Sequence, residues 1–135
     1  MSKTVTLIRS AALSDRAQYA YAATAPSDAK LIFLAGSCPL NRDGSTASVG
    51  DYAGQAAKCV DNMLIALAAA GAGLEDVIST RVLVASTERS DLGTAWHVVR
   101  GAFADHDVPS TLLGVTVLGY EDQLVEIEAV AAVRG

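Results

Sequence analysis

Charge and aromatic side chains are both scarce in this sequence. Charged residues fill 19% of the 135 positions and aromatic residues 5%, with a single tryptophan. Lys and Arg number 10 against 15 Asp and Glu, a net charge of −5 that no basic cluster offsets. That balance works against nucleic acid and anionic membrane as partners, and no aromatic platform for RNA bases is present. The two cysteines, Cys38 and Cys59, and the two histidines, His97 and His106, match no metal-ligand spacing. No metal is therefore expected. Without a phosphate-binding glycine pattern or a catalytic serine elbow, no nucleotide cofactor or serine-hydrolase chemistry is expected either. No apolar run approaches the ~18 residues of a spanning helix, and Met1-Ser2-Lys3-Thr4 has no signal-like core. The expectation is a cytoplasmic protein with reduced thiols. No linker or low-complexity segment divides the chain, so residues 1–135 read as one domain.

Apolar residues are abundant, at 51%. That is high for a soluble domain and favours an oligomer that buries one surface per subunit. Thr4 to Ile8 and Tyr19 to Thr24 read as short strands. Leu31 to Leu34 is apolar without alternation, so both its faces should be covered. It runs into Ala35-Gly36-Ser37-Cys38-Pro39-Leu40, where Gly36 permits close backbone approach and Pro39 ends the ladder. After a polar loop over 41–49, apolar residues at Ala56, Val60, Met63, Leu64 and Leu67 predict a helix from Asp51 to Ala70, stopped by Gly71. Val77 to Ala85 is a strand, and Ser90 or Asp91 can cap a second helix with a stripe of Leu92, Trp96, Val99 and Phe103. The final stretch, Ser110 to Val133, reads as an antiparallel hairpin turning at Gly119-Tyr120-Glu121-Asp122. The order is β-β-β-α-β-α-β-β, an α+β sandwich with two helices on one face of a six-stranded mixed sheet.

In the last run, period 2 puts Val125, Ile127, Ala129 and Ala131 on one face and Glu126, Glu128, Val130 and Ala132 on the other. Two helices can close only one face. The other, with its pair of carboxylates, calls for a second copy of the chain, and the pocket is expected there.

Three segments resemble the YjgF/Rid family of reactive-intermediate deaminases. They are AGSCPLN at Ala35 to Asn41, Asn62-Met63-Leu64 with the AAAGAGLEDVISTRV run that follows, and PSTLLGV with VEIEAVA at the end. The resemblance implies a chorismate-mutase-like fold, a homotrimer with clefts between subunits, and cofactor-free hydrolysis of enamine or imine intermediates, such as those derived from 2-aminoacrylate, to a keto acid and ammonia. It places the family's glutamate on Glu126, as the residue that orients or activates water, with Glu128 as a like-charged neighbour. Its ligand-facing glycine falls on Gly36, which can equally be a conformational glycine, and its N-terminal tyrosine falls near Tyr21, or Tyr19. Other positions depart from the pattern. The arginine that clamps a substrate carboxylate in a P-x-R-[ST] segment is replaced by Ser110 in Val108-Pro109-Ser110-Thr111. The serine before the glycine is Ala35, and a helix-two asparagine is Trp96. The resemblance is thus to an arginine-lacking branch.

Glu126 is accordingly the expected catalytic residue, and Tyr21, Gly36, Cys38, Trp96, Ser110, Thr111 and Tyr120 the expected substrate contacts, with Gln123 beside the same turn. Cys38 can be a reactive thiol if His97 or His106 reaches it. Arg81 can replace the lost guanidinium or form an ion pair. The substrate should be a small neutral or apolar imine, enamine or similar electrophile. The alternative is a non-catalytic trimeric ligand-binding or holdase-like module. Chorismate mutase chemistry is disfavoured, because its dianionic substrate needs cations that the last two strands lack.

Overall fold

The computed structural model describes residues 4–135. The expectation for Met1 to Lys3 lies outside them. The elements are β1 (Thr6–Ile8), β2 (Ala22–Thr24), β3 (Lys30–Phe33), α1 (Tyr52–Ala69), a 3₁₀ turn (Leu74–Asp76), β4 (Val77–Ala85), α2 (Arg89–Phe103), β5 (Ser110–Val115) and β6 (Val125–Val133). The element order and the six strands agree with the sequence reading. The strands divide into a two-stranded sheet, β1-β2, and a four-stranded sheet in the order β3-β6-β4-β5.

The expected β5–β6 hairpin does not form. β4 lies between the two, antiparallel to β6 and parallel to β5, with Thr80 opposite both Ala129 and Ser110. The reason is topological. α2 carries the chain back over the sheet so that β5 must run parallel to β4, and residues 116–124 then cross to the far side of β4.

Helix α1 begins where Asp51 Oδ1 accepts the Gly54 amide at 2.9 Å. It ends in a left-handed Gly71, φ +83°. There Ala72 N donates to Leu67 O (2.9 Å) and Gly71 N to Ala68 O (3.1 Å), which satisfies the last carbonyls. Its buried stripe is Gln55, Ala56, Cys59, Val60, Met63 and Leu67. Leu64, expected in that stripe, is exposed. Helix α2 starts two or three residues earlier than Ser90 or Asp91 would cap it, with Glu88 as N-cap and no side-chain cap bond. Asp91 sits inside the first turn, where its carboxylate accepts the Ser86 hydroxyl at 2.7 Å and faces the positive end of the helix.

Both helices cover one face of the large sheet. Val82, Val84, Val125, Ile127, Ala129 and Ala131 join Met63, Leu67, Ala95, Val99 and Phe103 in one core. The alternation on β6 is as read from the sequence, except that Ala132 is buried as well. Among the described residues nothing covers Leu31 and Phe33 on the opposite face. Leu31 and Phe33, expected to be buried, are 53% and 73% exposed, and Leu113 is 36% exposed. Among the described residues no helix is long and apolar enough to cross a membrane.

Candidate functional site

Glu126 lies on the uncovered face, between two well-packed positions of β6. Its place is set from three sides. The Gln123 side-chain amide donates to Oε1 at 3.1 Å, and the Cys38 thiol donates to the same oxygen at 3.4 Å. Gly36 closes the third side. A methyl group there would stand 2.1 Å from Glu126 Oε2 and 2.7 Å from its carboxyl carbon, so only glycine admits the carboxylate in this position.

The backbone around Gly36 is shaped for the same purpose. Leu34 N donates to Ala129 O (3.2 Å), and the ladder resumes where Ser37 and Ile127 exchange bonds of 2.7 and 3.0 Å. Ala35 and Gly36 thus stand opposite the single residue Glu128, a bulge that turns their amides out of the ladder. The loop beyond is tied to α1 by Asn62, whose side-chain amide donates to Cys38 O and Leu40 O at 2.8 and 3.0 Å.

Two buried glutamines hold the turn before β6. Gln123 accepts from Tyr120 N (3.0 Å) and donates to Val125 O as well as to Glu126. Gln55, fully buried on α1, donates to Asp122 O (2.9 Å) and accepts from Leu124 N (2.7 Å). Asp122 sits between them with φ +62°, a left-handed conformation that a short polar side chain tolerates. Tyr120 itself points away and is 53% exposed, bordering a shallow hollow beside Thr46 and Val49. The sequence reading picked out Gln123 but missed Gln55 and gave Asn62 no role.

The surroundings of Cys38 favour the protonated thiol. Burial raises its thiol to about 11, and the neighbouring Glu126 charge adds to the shift. Its side-chain partner is a carboxylate, not the base that His97 or His106 would have supplied. His97 is exposed, and His106 bonds Val77 O at 2.7 Å. Cys59 is fully buried, and burial pushes its thiol up too. Iodoacetamide should therefore label the native protein far more slowly at pH 7.5 than a free thiol, and the rate should climb as the pH approaches about 11. Rapid labelling of Cys38 at neutral pH would mean that a thiolate is already present.

A second group of expected residues gathers elsewhere, at the free edge of β5. Trp96, Ser110 and Thr111 line a cavity with Tyr19 and Leu112. Tyr21 does not line it. Its hydroxyl donates to Ser14 O, and its ring borders a separate surface hollow near Arg9. The walls of the β5 cavity include neither Gly36, Cys38 nor Glu126. Glu126 and Thr111 do share the uncovered face, but two strands and two residues apart in register, about 12 Å. Between them Arg81 pairs with Glu128, Nε to Oε1 at 3.2 Å, so the guanidinium is engaged in an ion pair. Among the described residues no cluster of three His, Cys, Asp or Glu side chains could hold a metal ion.

A family model described as Endoribonuclease L-PSP matches residues 10–133. Among solved structures, YyfB of Yersinia pestis, a Rid-family protein of unknown function, aligns with a TM-score of 0.88 at 21% identity, over 96% of this chain and 99% of that one. A YjgF/YER057c/UK114-family protein from Mycobacterium tuberculosis aligns at 0.65 with 28% identity, over 96% and 100%. The YjgF gene product of E. coli aligns at 0.64 with 27% identity, over 85% and 94%. No curated protein matches the chain.

Proposed function

The chain belongs to the endoribonuclease L-PSP family, and on that footing we propose that it is a cofactor-independent hydrolase of a small imine or enamine, acting in clefts between the subunits of a homotrimer. The observation that carries this reading is the Glu126 carboxylate. Both donors that reach it converge on Oε1, while Oε2 lies over Gly36. A carboxylate held in this way is oriented to take a proton from water.

In the proposed reaction Glu126 removes a proton from water as the oxygen bonds to the imine carbon. The electron pair of the C=N bond moves to nitrogen, which takes up the proton. The carboxylate then takes the hydroxyl proton of the carbinolamine and delivers it to nitrogen. The C–N bond breaks, leaving a carbonyl compound and ammonia. The bulged amides of Ala35 and Gly36 offer donors for developing negative charge.

The substrate is neutral or apolar. Ser110 occupies the position of the family arginine, Arg81 pairs with Glu128 through one exposed contact, and the β5 cavity has no charged wall. This is the arginine-lacking branch of the family in physical terms. The free thiols of Cys38 and Cys59 suit the reducing cytoplasm.

A second copy of the chain is the natural cover for Leu31, Phe33 and Leu113, and it would bring one subunit's Glu126 toward another subunit's β5 edge. At ~25 cal/mol per Å2, several hundred Å2 of apolar surface per subunit supplies many kcal/mol before association costs. The family description names an RNA-cleaving activity. A net charge of −5 and a reactive face bearing Glu126 and Glu128 favour a small neutral substrate over a polyanion.

The test is ammonia release from a panel of enzymatically generated neutral imines, with 2-imino acids and RNA as comparisons. Turnover of neutral imines, lost in Glu126→Gln, supports the reading. Ligand-induced stabilisation without turnover on any imine would favour a non-catalytic binding module instead.

A further inference from the structure

The cavity at the β5 edge has chemistry of its own. It measures about 400 Å3, within the range of small-molecule sites, and is walled by Tyr19, Trp96, Ser110, Thr111 and Leu112. The walls thus hold two aromatic rings, one aliphatic side chain and three hydroxyls (Tyr19, Ser110 and Thr111), with no charge.

The rings are fixed in place. The Trp96 indole N–H donates to Gln18 Oε1 at 3.0 Å, which sets the orientation of the ring. Tyr19 meets Trp96 edge to face, with centroids 6.1 Å apart and planes at 82°. Tyr21 supports Tyr19 from behind in the same manner, at 6.0 Å and 73°. Two rings at right angles form a corner that accepts a flat ring against one face and one edge.

The hydroxyl beside this corner is also set up for a ligand. Thr80, buried on β4, donates its hydroxyl to Ser110 Oγ at 2.7 Å. Ser110 is thereby an acceptor toward the protein, and its own proton is available to a group in the cavity. None of the cavity's walls carries a cation to pair with a carboxylate.

We propose that this corner is a subsite for an uncharged aryl or heteroaryl group bearing a hydrogen-bond acceptor, which takes the Ser110 proton. Insofar as the occupant is the substrate itself, this rests on the hydrolase reading above and narrows its substrate to aryl-substituted compounds. The subsite as a binding site stands independently of turnover.

The single tryptophan of the chain gives one indole N–H signal in a 1H–15N spectrum, a reporter seated in the wall of the subsite. Titration of the full-length protein with benzamide should shift that signal saturably. Cyclohexanecarboxamide, equal in polarity but not flat, should bind roughly 3- to 10-fold more weakly. Benzoate should bind at least about 10-fold more weakly. Tyr19→Leu keeps the reporter and should weaken benzamide by roughly 3- to 10-fold. Ser110→Ala, a smaller change, should weaken benzamide while leaving toluene binding as it was. Benzamide binding without turnover of any imine retains the subsite and removes the reaction; turnover without a benzamide shift removes the subsite alone. No saturable shift, benzoate binding as tightly as benzamide, or indifference to both Tyr19→Leu and Ser110→Ala would overturn the proposal.

Discussion

Glu126→Gln is expected to lower ammonia release by at least about 100-fold, the lower end of what a positioned general base contributes. The substitution is narrow. Glutamine keeps the volume of the side chain and an Oε1 able to accept from Gln123 and Cys38, as Glu126 Oε1 does. What it loses is the capacity to take a proton. Glu126 is only partly buried and forms no salt bridge among the described residues, so the variant should fold with little change in stability. A loss of turnover with an unaltered melting temperature therefore reports chemistry. Turnover equal to the unsubstituted protein would remove Glu126 from the reaction.

Gly36→Ala should cost at least about 10-fold in turnover through geometry alone. The new methyl group would fall 2.1 Å from Glu126 Oε2, closer than any non-bonded contact, so the carboxylate must swing away. The atoms in its path belong to the end of a flexible side chain, which can move at modest cost. Stability should accordingly change by less than about 1 kcal/mol, as for ordinary substitutions outside the core. Because the methyl acts through Glu126, its effect should not add to that of Glu126→Gln. The double variant should be about as slow as Glu126→Gln alone, a coupling expected of residues in contact. Full turnover in Gly36→Ala, or additive losses in the double variant, would mean that the present carboxylate position is not the working one.

The part of this site that lies on β6 was legible because strand periodicity is strict. Once Val125, Ile127, Ala129 and Ala131 are assigned to the core, Glu126 has no choice of face. Gly36 and Cys38 followed from their place at a strand end, although nothing in the sequence says that Gly36 exists to admit a carboxylate. That requirement is a contact between residues 90 positions apart. The order of strands was not legible. Two β-prone runs joined by turn residues read as a hairpin, and local propensity carries no information about β4, which lies between them. The first helix was mostly correct, yet a stripe traced through apolar letters alone kept Leu64 and passed over Gln55. Gln55 is buried because its amide satisfies both the Asp122 carbonyl and the Leu124 amide of a distant turn. The cap of α2 was misplaced for a related reason, since Asp91 bonds Ser86 rather than the backbone amides ahead of it.

The reaction proposed here belongs to a cleft that one chain does not complete: Glu126 and the β5-edge cavity share no wall, and the sheet face that carries Glu126 also carries exposed Leu31, Phe33 and Leu113. The most direct test is the mass of the assembled protein by light scattering at micromolar concentration. A stable species of about three times the 13.9 kDa chain is the expected result, whereas a soluble species at 13.9 kDa would contradict the inter-subunit site.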